Sequence, residues 1–150
     1  MQKTTKSHTF IVEKEWDKKQ IIKYCDCAFE LPVYEREGHH IFLEKLCTYA
    51  EFIVARNDTD IMGYAAMYAN DNINCVAYIS LLAVHPKFQR KHIGKLLIEA
   101  CIEVAKSKGM HSIKLEVKHN NTNAINFYKR CGFNETGENG IKSYYLYRKI

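Results

Sequence analysis

The chain has 150 residues, of which 47% are hydrophobic and 26% charged, a size and balance that suit one folded domain spanning residues 1–150 and exclude a disordered chain. The formal net charge of +5 is compatible with an anionic ligand such as a nucleotide, with nucleic acid, or with a solvated basic surface that has no partner. None of the six cysteines (Cys25, Cys27, Cys47, Cys75, Cys101, Cys131) forms a C-x-x-C pair, which excludes zinc-ribbon and thioredoxin spacings, and no apolar run approaches the roughly 18 residues of a membrane span.

The segment from Met1 to His8 is polar and carries no secretory signal. The expectation is therefore a cytoplasmic protein with reduced, mostly buried thiols, no metal and no membrane contact. Thr9 to Val12 reads as a short strand. Trp16 to Phe29 reads as a helix, with Ile21, Ile22, Tyr24 and Cys25 as its apolar residues, ended by Leu31-Pro32. His39 to Tyr49 is a second helix, with Ile41, Phe42 and Leu46 at helical spacing. Glu51 to Ala55 and Ile61 to Tyr68 are strands joined by the polar turn Asn57 to Asp60. Val76 to Val84 is an uncharged apolar run, expected to be a central strand covered on both faces. Ile93 to Lys108 is the clearest helix: Ile93, Leu96, Leu97, Ala100, Cys101, Val104 and Ala105 form one stripe, and Gly109 follows its end. Ile113, Leu115 and Val117 alternate with Lys114, Glu116 and Lys118 as in a strand. A short helix from Asn123 to Arg130 and a last strand from Ser143 to Arg148 complete an α/β or α+β pattern.

The junction between Val84 and the Ile93 helix carries chemistry. A helix N-terminus presents backbone N–H groups without internal partners and the positive end of the helix dipole, which suits a phosphate or pyrophosphate. Arg90, Lys91 and Lys95 add charge there, and Gly94 allows close approach of backbone to ligand. The same residues also suit a basic loop before an ordinary helix. Neither G-x-x-x-x-G-K-[ST] nor G-x-G-x-x-G occurs, so the two best-known nucleotide-binding loops are excluded.

Val84 to Leu97 resembles the acyl-CoA signature of the GCN5-related N-acetyltransferase (GNAT) superfamily, Q/R-x-x-G-x-G/A. Gln89 and Gly94 match, and His92 replaces the first glycine, where a left-handed φ would strain it. Leu115-Glu116-Val117 followed by Asn121 to Phe133 resembles the family's later motif, N-x-x-A-x-x-x-Y-x-x-x-G-F. The resemblance implies a single domain with a mixed, mostly antiparallel twisted sheet of six to seven strands, about four flanking helices, and splayed strands forming an acyl-CoA cleft. It implies an acyltransferase that moves the acetyl group of acetyl-CoA directly to a primary amine of a small molecule, an amino sugar, or a protein or peptide. On this reading Leu82, Ala83 and Val84 pair with the pantetheine arm. Gln89, Arg90, Lys91, His92, Ile93, Gly94 and Lys95 hold the pyrophosphate, and Asn121, Asn123 and Tyr128 touch the coenzyme.

Direct transfer needs an acid, a base and a polarised carbonyl, and no protein nucleophile. By the resemblance Tyr128 is the acid, since a phenol with a pKa near 10 can protonate a departing thiolate. Glu116 takes the place of the L-E-V glutamate that the family's ribosomal-protein alanine acetyltransferases use as base. It also reads as a solvent-facing strand residue between two lysines, and a water relayed through Ser80 or Tyr78 is a second route. His85 and His119 have suitable chemistry and equally suit structural roles. Phe29, Tyr34, Glu35, Glu37, His39 and His40 fall where the family builds its acceptor cleft. The expected partners are acetyl-CoA and an amine acceptor, with no nucleic acid, in a monomer or homodimer. A non-catalytic acyl-CoA-binding module on the same fold is the alternative.

Overall fold

The computed structural model describes residues 7–150. Strand β1 (His8–Val12) leads into helix α1 (Glu15–Cys25) and helix α2 (His39–Tyr49). Strands β2 (Glu51–Arg56), β3 (Ile61–Tyr68) and β4 (Val76–Val84) form an antiparallel meander. Helix α3 (Ile93–Ser107) returns the chain to β5 (Ser112–Lys118), which lies parallel to β4. Helix α4 (Thr122–Arg130) and the hairpin of β6 (Asn134–Gly140) and β7 (Ser143–Lys149) finish the fold. The result is one seven-stranded sheet in the order β1-β2-β3-β4-β5-β7-β6.

Strand alternation divides the core into two layers. Ile53, Ala65, Ile79, Leu115 and Val117 pack on the α3 side with Leu97, Cys101, Ile125 and Phe133. Phe52, Val54, Tyr64, Leu81 and Ala83 face Ile22 and Cys25 of α1 and Leu46 of α2 on the other side. Each fully buried Leu, Ile or Phe contributes about 1.5–3 kcal/mol.

Several expectations are corrected. Helix α1 stops at Cys25 and does not reach Phe29, because buried Asp26 accepts the backbone amides of Val33 at 2.9 Å and Tyr34 at 3.1 Å and bends the chain into a 3-10 turn. Tyr24 is 43% exposed and stacks on His85, 4.9 Å away, instead of entering the core. On α2 the buried stripe is Leu43, Leu46 and Cys47, and Ile41 lies 78% exposed. Strand β4 is central as expected; Leu81 and Ala83 are buried in one layer and Leu82 and Val84 pack against the other, while Val76, Tyr78 and Ser80 border an open groove. Strand β6 was not anticipated from the sequence, since Asn-Glu-Thr-Gly-Glu-Asn-Gly carries no apolar alternation. The six thiols are unpaired; Cys25, Cys47 and Cys101 are buried and Cys27 is exposed.

Candidate active site

Strands β4 and β5 pair only from Val76↔Ser112 to Ile79↔Leu115. Beyond that point β4 follows β3 as far as Val84, and β5 follows β7 as far as Lys118. The two strands therefore part in a V, with Ser80 to Val84 on one arm and Glu116 to Lys118 on the other. A β-bulge marks the parting. Ala66 pairs with Leu81 and Met67 with Ile79, so Ser80 is the extra residue. The bulge switches the side-chain alternation of β4: Ala77 and Ile79 face α3, whereas Leu81 and Ala83 face α1 and α2. Backbone groups on the β5 side of residues 80–84 lack a strand partner, which is what an extended, amide-bearing ligand needs. Leu82, Ala83 and Val84 lie on this arm.

The turn after β4 leads to the N-terminus of α3. Gln89 Nε2 donates to the carbonyl of Val84 at 3.2 Å and ties the turn to the strand end. Arg90 and His92 both have left-handed backbone, with φ of 65° and 62°. Two such non-glycine residues within three positions store about 1–3 kcal/mol each, a cost that concentrates at functional sites. The side chain of His92 makes no cap hydrogen bond, so the first amides of α3 keep their donors for another acceptor. Arg90, Lys91 and Lys95 surround this end of the helix. Gly94 serves a packing role not expected from the sequence, because a Cβ there would lie 2.9 Å from Cζ of Phe127 on α4. The uncapped amides, nearby cations and open V together fit a pantetheine arm with a diphosphate.

Glu116 and Tyr128 flank the V from opposite faces. Alternation on β5 buries Leu115 and Val117 on the α3 side and leaves Glu116 exposed on the other. Its Oε1 accepts the Ser143 hydroxyl at 2.6 Å. Tyr78 on β4 lies near enough that burial first, and then the Glu116 charge, push its phenol up to about 12. Tyr128 packs on the α3 side between Phe127 and Phe133, with ring centroids 5.2 and 5.8 Å away. Burial drives its phenol far above the ordinary value, keeping it protonated. The histidines are held structurally: His119 Nε2 lies 2.9 Å from the Ser143 carbonyl, and His85 Nδ1 accepts the Lys87 amide at 3.2 Å. Asn121 is the N-cap of α4, its side chain accepting the Ala124 amide at 3.2 Å, and Asn123 is exposed in the first turn.

An open groove of about 960 Å³ runs along the α2 face of the sheet, bordered by Phe42, Tyr49, Tyr68 and Tyr78, with Asp71 and Lys114 among its polar residues. None of Phe29, Tyr34, Glu35, Glu37, His39 or His40 lines it. The sequence reading missed Ser143 and Tyr145 entirely. Tyr145 faces Glu116 in the β5–β7 register, and no motif signals that pairing. Among the described residues, no group of three or more His, Cys, Asp or Glu is placed to hold a metal, and no helix is long and apolar enough to cross a membrane.

A sheet splayed beside an uncapped helix N-terminus ringed by cations suits a coenzyme A thioester, as the acyl-CoA-dependent acyltransferases require. The chain belongs to the acetyltransferase (GNAT) family, whose profile it matches over residues 8–133. It is 32% identical over 130 residues to an N-alpha-acetyltransferase of Sulfurisphaera tokodaii, covering 79% of this chain and 75% of the relative. It is 41% identical over 54 residues to the ribosomal protein bS18-alanine N-acetyltransferase of Salmonella typhimurium, an alignment confined to 36% of either chain. The crystal structure of the PaiA N-acetyltransferase from Thermoplasma acidophilum in complex with coenzyme A shares the fold, with TM-score 0.73 and 20% identity over 95% of this chain and 99% of that one. The protein is thus an acetyl-CoA-dependent N-acetyltransferase.

Proposed function

We propose that the acceptor is the α-amine of a peptide or protein N-terminus. The observation that carries this reading is the V between β4 and β5, with Glu116 on the groove face and Tyr128 on the α3 face. An extended groove of about 960 Å³ suits a peptide segment, and relatives named for N-alpha and alanine acetylation support the same acceptor class.

On this reading the residues divide the work. The amides at the start of α3, with Arg90, Lys91 and Lys95, hold the diphosphate, and Gln89 keeps the turn against β4. Residues 82–84 bind the pantetheine amides, while Asn121 and Asn123 border the coenzyme. Acetyl-CoA supplies an activated thioester. Glu116 takes a proton from the ammonium group, directly or through water, so that the neutral amine attacks the thioester carbonyl. As the C–N bond forms and the C–S bond breaks, the nitrogen sheds its second proton to water, and Tyr128 gives its proton to the departing sulfur and recovers one from solvent. The products are the acetylated amine, coenzyme A thiol and one proton.

Thiol release from acetyl-CoA should be rapid with short peptides bearing a free N-terminus and absent when that amine is blocked and only a lysine is free. Glu116→Gln and Tyr128→Phe should each slow turnover about 10²- to 10⁴-fold. Full rate with an unchanged pH profile in either variant removes that assignment. Coenzyme binding with no turnover across an amine panel leaves only an acyl-CoA-binding module.

A further inference from the structure

Glu116 is a long, exposed side chain in an open cleft. Left to itself it samples many rotamers, and fixing such a side chain costs up to about 2 kcal/mol. A general base needs one oxygen held and the other free. Two hydroxyls reach the carboxylate, that of Tyr145 on β7 and that of Ser143, and the Ser143 hydroxyl is the one fixed in place by burial. Ser143 is only 3% exposed, yet its hydroxyl reaches outward to Glu116 Oε1 at 2.6 Å.

The Ser143 backbone is fixed on every side. It pairs with Lys118 on β5 and with Gly140 on β6. Its carbonyl meets His119 Nε2 at 2.9 Å, and the His119 amide donates to the carbonyl of the adjacent Lys142 at 3.0 Å. Gly140 keeps the space open: a Cβ there would collide with Ser143 Oγ and lie 3.0 Å from Glu116 Oε1.

We propose that Ser143 is a positioning residue of this acetyltransferase, holding Glu116 Oε1 so that Oε2 is presented to the incoming amine. The inference rests on the reading of Glu116 as the base. Gly140 is the second part of the device, since its bare Cα gives the hydroxyl its place. The other polar groups facing the carboxylate are Tyr145 from β7, its phenol raised by the Glu116 charge and hydrogen bond, and Tyr78 from β4, raised by burial and then by that charge. Lys114 and Lys118 flank it on β5, and Lys114 is drawn away by Glu138 of β6 at 2.6 Å.

The test measures kcat/KM for a free-N-terminus peptide against pH in the wild type, Ser143→Ala, Glu116→Gln and the double variant, with coenzyme A affinity followed by calorimetry. Ser143→Ala should lose roughly 10- to 100-fold in kcat/KM at unchanged coenzyme A affinity, the range expected for one hydrogen bond to a charged group. In the Glu116→Gln background the same change should cost nothing further. Gly140→Ala, which displaces the hydroxyl without deleting it, should reproduce the loss and carries the test if Ser143→Ala does not fold. Wild-type rate and profile in Ser143→Ala, or an equal loss in both backgrounds, overturns the positioning role. If Glu116→Gln itself retains full rate, the assignment of the base fails instead.

Discussion

Tyr64 and Tyr128 both pack against aromatic rings, and the surroundings treat their hydroxyls differently. Tyr64 is fully buried, stacked on Phe52 with centroids 6.0 Å apart, and its hydroxyl has no hydrogen-bond partner among the described residues. An unpaired buried hydroxyl carries a desolvation penalty of about 1–3 kcal/mol, which outweighs anything it contributes to packing. Tyr64→Phe should therefore unfold in urea at an equal or higher midpoint, with a gain of about 1 kcal/mol; a loss larger than that would reveal a bonded hydroxyl. Tyr128 is only partly buried and sits between the rings of Phe127 and Phe133. The sequence singles out Tyr128 and Glu116 for the proposed roles, because both stand at fixed offsets within a motif on one continuous stretch. It could not show Ser143, which is 27 residues from Glu116 and reaches it only through the β5–β7 register.

At the scale of elements, legibility followed apolar periodicity. Helix α3 has a continuous stripe of buried residues, and its start and end were readable to within a residue. Strand β6 has no such stripe and is held by hydrogen bonds to β7 at the sheet edge, so its polar sequence looked like a loop. The Ser80 bulge was hidden for a similar reason, since an uninterrupted apolar run gives no sign of where its alternation switches. Close approaches between elements were also invisible, and two of them allow a comparison. A Cβ on Gly63 of β3 would lie 2.5 Å from the backbone carbonyl oxygen of Ala83, whereas one on Gly94 would meet the far edge of the Phe127 ring at 2.9 Å. A backbone oxygen within a ladder has nowhere to go, but a ring can tilt, and alanine also gains up to about 1 kcal/mol of helix propensity at Gly94. Gly63→Ala should cost about 2–3 kcal/mol in equilibrium unfolding, the upper range for overpacking, and Gly94→Ala under about 1 kcal/mol. Equal losses in the two variants would mean that the ring is as immobile as the strand.

The sheet separates two core layers, and each holds a buried thiol that bears on the stability of the whole molecule at alkaline pH. Cys25 sits in the layer beneath α1 and Cys101 in the layer beneath α3. Burial pushes each thiol from an ordinary value of 9.0 up to about 12, and at Cys25 the nearby Cys27 and Asp26 add to the effect. The native state therefore keeps protons that the unfolded chain releases. A group whose folded value is raised contributes stability that is complete below its unfolded value and is lost as pH climbs toward the folded one. Stability from these two sites is thus full below pH 9 and drains between pH 9 and 12. The slope is about 1.4 kcal/mol per pH unit for each proton by which the two states differ. Tyr78, raised to about 12 mainly by burial, joins above its own ordinary value of 10.0. Urea unfolding at several pH values from 7.5 to 11 (roughly the range these shifts span), in the presence of reductant, should show a plateau followed by a steady fall. A Cys25→Ala/Cys101→Ala variant should be less stable at neutral pH, because both side chains fill the core, yet its alkaline slope should be shallower. A slope as steep as the wild type's would assign the alkaline loss to groups other than Cys25 and Cys101, such as the Cys47 thiol and the buried tyrosines.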